Sequence, residues 1–576
     1  MSPEPGPAAT RTGRGVADGL RVPRWCWMAA AILVLLKLVL ISHDELIAFG
    51  DDDYGYVYGA SELHWGIAYS TFHYSRQPLY HLFLAGGEVF GLPGRLWMEA
   101  AWVGACLVSL VGLRRLGLRG WLSLLGFGLA LFHPWTLMLF NRTLSDGLYG
   151  AAMFPFLVGL CVTITRTGWG SMARWGVLTG VLGAVAANTR LESMLVTGAL
   201  AVAGACLIGM RLAGESGWRR TGLRAAWGLA VPLALTMGMS QSIKWANQQK
   251  IGAAVVSDFD LPGFKRLYAA LLAVRPTGAE DLRISIPRDV REWAYEHSPT
   301  MATLRPLLEE DTKVLGYTRP VRTLTGVSGE YGGWTVWALR VAAWQLRSWP
   351  SAGELDAFYA KAAGELEGAL REHPAKRRFV LASFVPPDWD GLGRELPGSL
   401  RRTMAEMFRA SYARVADVEL DAKAVARIDA VGLRRPSLVE IKNGHGADIT
   451  PWQSPGNVAR LDRVKSGIGA ALAPLTIAAC VVVLAAGVCA LVSLLPGWRG
   501  RVPVRWWVVS AVMLSAIAGR VLLVALLDVT GIGVQMRYLF AAAGPLIVAA
   551  VVSLGVLLTL GVSALRRGKT AQTRGV

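Results

Sequence analysis

Charge is scarce in this 576-residue chain. Asp, Glu, Lys and Arg make up 17% of it, against roughly 25% in a typical soluble domain. Cysteine is scarce as well. The six cysteines are Cys26, Cys106, Cys161, Cys206, Cys480 and Cys489; all lie in or beside apolar segments, and none forms a CxxC pair. A cysteine zinc site and a disulfide framework are therefore not indicated, and the six read as small apolar packing residues. No Gly-rich nucleotide loop or Rossmann pattern is present. The net charge of +18 (59 basic minus 41 acidic residues) raises the question of nucleic acid. However, there is no Cys-His finger, RNP-type aromatic box or long basic stripe, so nucleic acid is not an expected partner. A chain that is 53% hydrophobic is also not a disordered one.

What the chain has is apolar residues in blocks about as long as a bilayer is thick. The first runs from Trp25 to Ile41, without a small-residue cleavage pattern after it, and reads as a retained anchor helix. Lys37 near its outer end is expected to snorkel to the interface. Further spans are expected at 95–113, 120–140, 147–165, 175–189, 193–210, 226–243, 467–496, 506–528 and 538–563, which makes about ten transmembrane helices. Residues 78–92 hold a run of about 13 apolar residues containing Glu88, too short for a span and suited to a juxtamembrane helix lying on the outer face.

The charge pattern sets the expected topology. Arg114, Arg115 and Arg119 lie in one set of connections, as do Arg166 and Arg174, then Arg211, Arg219, Arg220 and Arg224, and then Arg499, Arg501 and Arg505. The tail 564–576 adds Arg566, Arg567, Lys569 and Arg574. By the positive-inside rule these are cytoplasmic, as is the polar tail 1–24. The fold class expected is an all-α polytopic membrane protein. Its parts are an N-terminal transmembrane module at 25–243, a mostly helical extracytoplasmic domain at 244–466 between helices seven and eight, and a C-terminal transmembrane module at 467–563. Within the insert, Glu354 to Glu372 shows helical periodicity.

The candidate functional residues fall in the outer connections. The loop 43–77 holds six acids and a single arginine, Arg76. Translocated loops avoid basic residues, which explains the lack of Lys and Arg. It explains less well three consecutive aspartates, Asp51, Asp52 and Asp53, followed by Tyr54, Tyr56 and Tyr58. Adjacent carboxylates repel, so such a group raises a pKa or holds a cation. Arg76 opens the short helix that contains Tyr80 and is either an interface anchor or a phosphate ligand. Asn141-Arg142-Thr143-Leu144-Ser145-Asp146 and Asn188-Thr189-Arg190-Leu191-Glu192 form two tight outer turns, where Asp146 is placed to cap a helix and Arg190 and Glu192 to pair with each other. Gln535-Met536-Arg537-Tyr538 precedes the last span. Arg520, inside the ninth, needs a partner or a job, and His133-Pro134 breaks the third.

These motifs in this order resemble the GT-C superfamily of integral membrane glycosyltransferases, in particular bacterial members related to protein mannosyltransferases and lipid A aminoarabinose transferases. The resemblance rests on Asp52-Asp53 with Tyr56 and Ala60, on Arg76-Gln77-Pro78-Leu79-Tyr80-His81-Leu82-Phe83-Leu84, on Asp146, and on Arg537-Tyr538. It does not cover the 244–466 insert. It implies inverting transfer of a sugar from a polyprenyl-phosphate-linked donor, at the outer face of a bacterial plasma membrane, to a hydroxyl of a glycan, lipid or protein. The implied catalytic residues are Asp52 or Asp53 as general base, with Asp146. The implied substrate contacts are Asp51, Tyr56, Arg76, Tyr80, Arg142, Arg190, Glu192 and Arg537, with Arg76, Arg190 and Arg537 on the leaving phosphate. No cofactor is required by this reading; Mg²⁺ or Mn²⁺ at Asp52 and Asp53 stays open, since hard oxygen ligands suit both. The alternative is a transporter or flippase of a lipid-linked or anionic substrate, for which midplane sites and inverted repeats are the usual signs. No repeat is visible.

Overall fold

The computed structural model describes residues 21–42, 44, 51–165, 168–212, 218–278, 281–380, 388–408, 455–493, 504–534 and 536–572. Most of the tail 1–24, the stretch 409–454 of the insert, and Gln535 lie outside the described residues. Among the described residues the regular structure is helical, apart from one isolated bridge between Val274 and Arg377.

Eleven helices lead to the insert: α1 (Arg24–Leu40), α2 (Asp51–Ser61), α3 (Thr71–Tyr74), α4 (Pro78–Val89), α5 (Gly94–Arg115), α6 (Gly120–Leu131), α7 (Pro134–Met138), α8 (Asp146–Thr165), α9 (Trp169–Ala187), α10 (Ser193–Leu212) and α11 (Trp218–Ile251). The last three are α12 (Pro455–Ser493), α13 (Val504–Val529) and α14 (Met536–Gln572). Helix covers most of every apolar segment expected to span. Six helices are long and apolar enough to cross a membrane, or seven if α6 and the stretch Pro134–Asn141, bent by 40° from it, make one span. This is an all-helical polytopic membrane protein.

Helix α8 is the hub. Every residue in it except Thr165 is buried, the pattern of a helix with neighbours on all sides. Close approach is bought with small residues: a Cβ added to Gly150 would overlap the Phe540 ring of α14. Helix α4 is 12 residues long, about 18 Å, well short of the ~30 Å hydrocarbon core. Helix α11 is 34 residues long, roughly 51 Å. Its end enters a second core built from residues beyond 250, in which Phe264, Leu339, Tyr359 and Leu366 are buried. Tyr69 and Tyr74, from the stretch between α2 and α4, belong to that second core.

The segment between α2 and α4 is therefore clamped from both sides. Trp65 donates from its indole to Asn247 of α11 at 2.8 Å, and the Ser257 hydroxyl donates to the Ser75 carbonyl at 2.9 Å. Arg340 donates to the Thr71 carbonyl at 2.7 Å and pairs with buried Asp258 at 2.5 Å.

Lys37 does not snorkel; its side chain is fully buried. The reason is the break that His133-Pro134 makes. Pro134 stops the helix, α6 ends at Leu131, and the orphaned Leu131 carbonyl needs a donor. Lys37 supplies it at 2.6 Å, donates also to the Thr136 hydroxyl at 2.8 Å, and pairs with Glu99 at 3.6 Å. Glu99 is shared with Arg95 at 2.8 Å. Glu99→Ala would leave two buried cations facing each other. It should lower stability by about 3–5 kcal/mol, read as an earlier melting transition of the purified protein in detergent. Unchanged melting would mean that this triad carries no stability.

Candidate functional site

Helix α2 begins with three aspartates. The side chain of Asp51 lies outside the described residues. Asp52 and Asp53 are one residue apart, about 100° around the helix, so they leave in different directions. Asp53 points inward, is fully buried, and takes Arg142 at 2.9 Å. Asp52 is 47% exposed and stands between two arginines, Arg76 at 2.9 Å on one oxygen and Arg537 at 3.4 Å on the other.

The other candidates converge on the same place. Asp146, at the start of α8, pairs with Arg190 at 2.5 Å. Arg190 also makes a two-pronged bond to Glu192, at 2.7 and 2.9 Å. Glu192 in turn takes Arg520 of α13 at 3.3 Å, and the Arg520 guanidinium donates to the Tyr538 carbonyl. So the pairing of Arg190 with Glu192 and the need of Arg520 for a partner are both met in one network. Burial opposes the charged form of Glu192, but Arg190 and Arg520 outweigh it and hold the carboxyl down at about 2.

Aromatic rings fill the spaces between the charges. Tyr56 bonds through its hydroxyl with Ser145 at 2.9 Å and meets Tyr80 edge to face at 4.9 Å. Arg76 lies over the Phe72 ring at 4.2 Å and over Tyr56 at 5.4 Å. Tyr80 is fully buried, behind Tyr56 rather than at the open face. Burial pushes both phenols up, which makes them hydrogen-bonding groups and not bases at neutral pH. Gly55 lets Arg76 cross α2 closely: a Cβ there would sit 2.7 Å from the guanidinium carbon.

Thus all the candidates with described side chains gather in one cluster, but only Asp52 among its aspartates is substantially exposed. Three guanidiniums already hold the oxygens of Asp52 and Asp53. That donor set does not fit a hard dication, which prefers carboxylates free of competing cations. Ser145, which holds Tyr56, was not among the residues singled out from sequence; a lone serine in a turn carries no signal there.

No protein-family model matches the sequence, and no curated protein does. Among solved structures, the chain is similar to the protein O-mannosyltransferase Pmt1-Pmt2 complex of S. cerevisiae bound to the sugar donor, at 12% identity and a TM-score of 0.32. That likeness covers 41% of this chain and 36% of the other, so the chain matches about a third of that protein's length. It is also similar to ArnT from Cupriavidus metallidurans in the apo state, at 15% identity and a TM-score of 0.30 over 92% of this chain and 77% of that one. ArnT bound to undecaprenyl phosphate gives 15% identity and a TM-score of 0.31 over 94% and 78%.

Glu192→Ala would strip Arg190 and Arg520 of a shared anion, and Arg520 is only 2% exposed. A loss of about 3 kcal/mol is expected, with Glu192→Gln intermediate because it keeps an acceptor. Melting midpoints in detergent test this; equal midpoints for wild type and Glu192→Ala would refute it.

Proposed function

We propose that this protein is a membrane glycosyltransferase that moves a sugar, with inversion, from a polyprenyl-phosphate-linked donor to an acceptor hydroxyl at the extracytoplasmic face. The observation that carries the reading is Asp52, an exposed carboxylate between two arginines in a cluster of buried ion pairs. The arginine-rich connections support a topology with about ten crossings, both termini cytoplasmic, and this cluster outside. The same reading makes residues 244–466 an extracytoplasmic domain.

In the reaction the acceptor oxygen attacks the anomeric carbon while the bond from that carbon to the phosphate oxygen breaks. Asp52 takes the acceptor proton. The leaving phosphate keeps the electron pair and is met by Arg76 and Arg537, whose planar guanidiniums bind phosphate in two-pronged fashion. Arg190, whose charge is matched by Asp146 and Glu192, is a positioning residue behind them. A phosphate leaving group needs a base, positioning and charge compensation, and the cluster supplies all three. Asp53 acts through Arg142 as a positioning residue. No step requires a divalent cation.

Protein in nanodiscs, supplied with polyprenyl-phosphate sugars and candidate acceptors, should release free polyprenyl phosphate. Asp52→Asn is expected to slow release by about 10²- to 10⁴-fold with normal melting, and omitting Mg²⁺ or Mn²⁺ should change nothing. Asp53→Asn should keep more activity and melt earlier. Full activity in Asp52→Asn would end this assignment of the base. Transport of the donor across sealed vesicles without a covalent product would favour a flippase instead.

Gly55→Ala offers a subtler probe. Its Cβ displaces the Arg76 guanidinium, a movable side-chain end, from Asp52. Stability should change by less than about 1 kcal/mol, while release slows and Arg76→Gln adds little in the Gly55→Ala background. Independent, multiplicative effects of the two substitutions would show that Gly55 does not act through Arg76.

A further inference from the structure

We infer that His64, His73 and His81 form a binding site for a transition-metal cation of the Zn²⁺ class, which fastens the outer segment beneath the acid–arginine cluster. The three rings face one another with centroids 4.6 to 4.9 Å apart. One ring nitrogen from each lies within 4.8 Å of the others. All three side chains are buried, with at most 1% exposed. Each leaves one buried ring nitrogen without a partner: Nε2 of His64, Nδ1 of His73 and Nε2 of His81.

Simple packing is a poor account of this arrangement. Every unpartnered buried polar atom carries a desolvation penalty, and leucine or phenylalanine would fill the same space without it. The hydrogen bonds also set up a lone pair. His73 Nε2 lies 2.9 Å from the His64 carbonyl and must donate to it, which leaves Nδ1 bare. A second ring N–H held by a backbone carbonyl is the usual support of a metal-bound imidazole. Nδ1 of His64 and Nδ1 of His81 are 2.8 Å apart, room for one proton between two lone pairs.

A cation bound at about 2.1 Å by each ring sets tetrahedral nitrogens about 3.4 Å apart, inside the 4.8 Å within which one nitrogen from each ring already lies. Three imidazoles favour Zn²⁺, Cu²⁺, Ni²⁺ or Fe²⁺ over Mg²⁺, Ca²⁺ or Mn²⁺. The ring positions are set by backbone. His64 sits at positive φ, 65°, and Gly59 admits the His81 ring, which a Cβ would meet at 2.6 Å. The ligands come from the turn after α2, from α3 and from α4, and Arg76 lies between the second and third. A cation here would join the three pieces that determine where Arg76 stands. The sequence signal was density: His43, His64, His73 and His81 are half of the eight histidines.

The test uses the full chain in nanodiscs, purified without a polyhistidine tag, and none of its readouts depends on glycosyl transfer. Elemental analysis should find roughly one Zn²⁺ per chain, lost in His73→Gln and in His64→Gln/His81→Gln. Phenanthroline should lower the melting midpoint of the wild type, with recovery on adding Zn²⁺ but not Mg²⁺. Co²⁺ replacement should give the visible absorption of a low-symmetry site. Zinc content equal in wild type and variants would overturn the proposal. So would a wild type that holds no Zn²⁺ or Co²⁺ and melts alike with and without chelator. If the variants fail to fold, the chelator and Co²⁺ arms on the wild type decide.

Discussion

Charge buried in a low-dielectric interior must be paired, and this structure is organised by that constraint. A lone ion in such a medium carries a penalty of several kcal/mol, whereas a well-made pair recovers most of it. Two linked sets of ion pairs show how the described part of the chain meets the constraint. One lies around the break between α6 and α7, where Lys37, Glu99 and Arg95 mend an interrupted helix. The other runs from Asp146 through Arg190 and Glu192 to Arg520. It ties the N-terminal helices α8 and α10 to the late helix α13, so segments more than 300 residues apart in sequence are fixed by a few ion pairs.

The outer segment between α2 and α4 inherits its position from both cores. From below, α2 and α4 pack against each other through Tyr56 and Tyr80. From the other side, the second core takes in Tyr69 and Tyr74, and Arg340 holds both Thr71 and Asp258. Exposed loops beside a membrane are usually mobile. This one is held at several points, and its two arginine contacts, at Asp52 and at the Phe72 ring, are set with it. The insert thus serves the cluster mechanically, whatever else it binds.

Much of this was legible in the sequence, for identifiable reasons. Apolar blocks report on the bilayer directly, so the helices lie where hydropathy puts them. The Arg190–Glu192 pair was legible because two opposite charges in a short apolar turn have few other options. Lys37 was misread because its partner carbonyl is created by a proline almost a hundred residues away, and spacing along one helix cannot show that. The histidine trio was missed for a similar reason. Its members are eight or nine residues apart, on a turn and two separate helices, and only the left-handed turn at Leu63 and His64 brings them together. The roles of Asp52 and Asp53 were inseparable by sequence, since neighbouring residues diverge only when the helix has a buried side.

That divergence bears on how the cluster would work. Asp53 spends its charge on Arg142 out of reach of solvent, so it is poorly placed to meet an acceptor. Asp52 is accessible, yet Arg76 and Arg537 occupy its oxygens. A lipid phosphate brings the anion that those arginines match best. As the phosphate takes the guanidiniums, the Asp52 carboxylate is released from them and can meet the acceptor hydroxyl. The carboxylate would then be available when the donor is in place and held by the arginines when the site holds no phosphate. Exchange of one anion for another on the same arginines would couple donor binding to activation of the acceptor without a moving domain, and it requires only that the guanidiniums stay where Gly55, Phe72 and Tyr538 hold them.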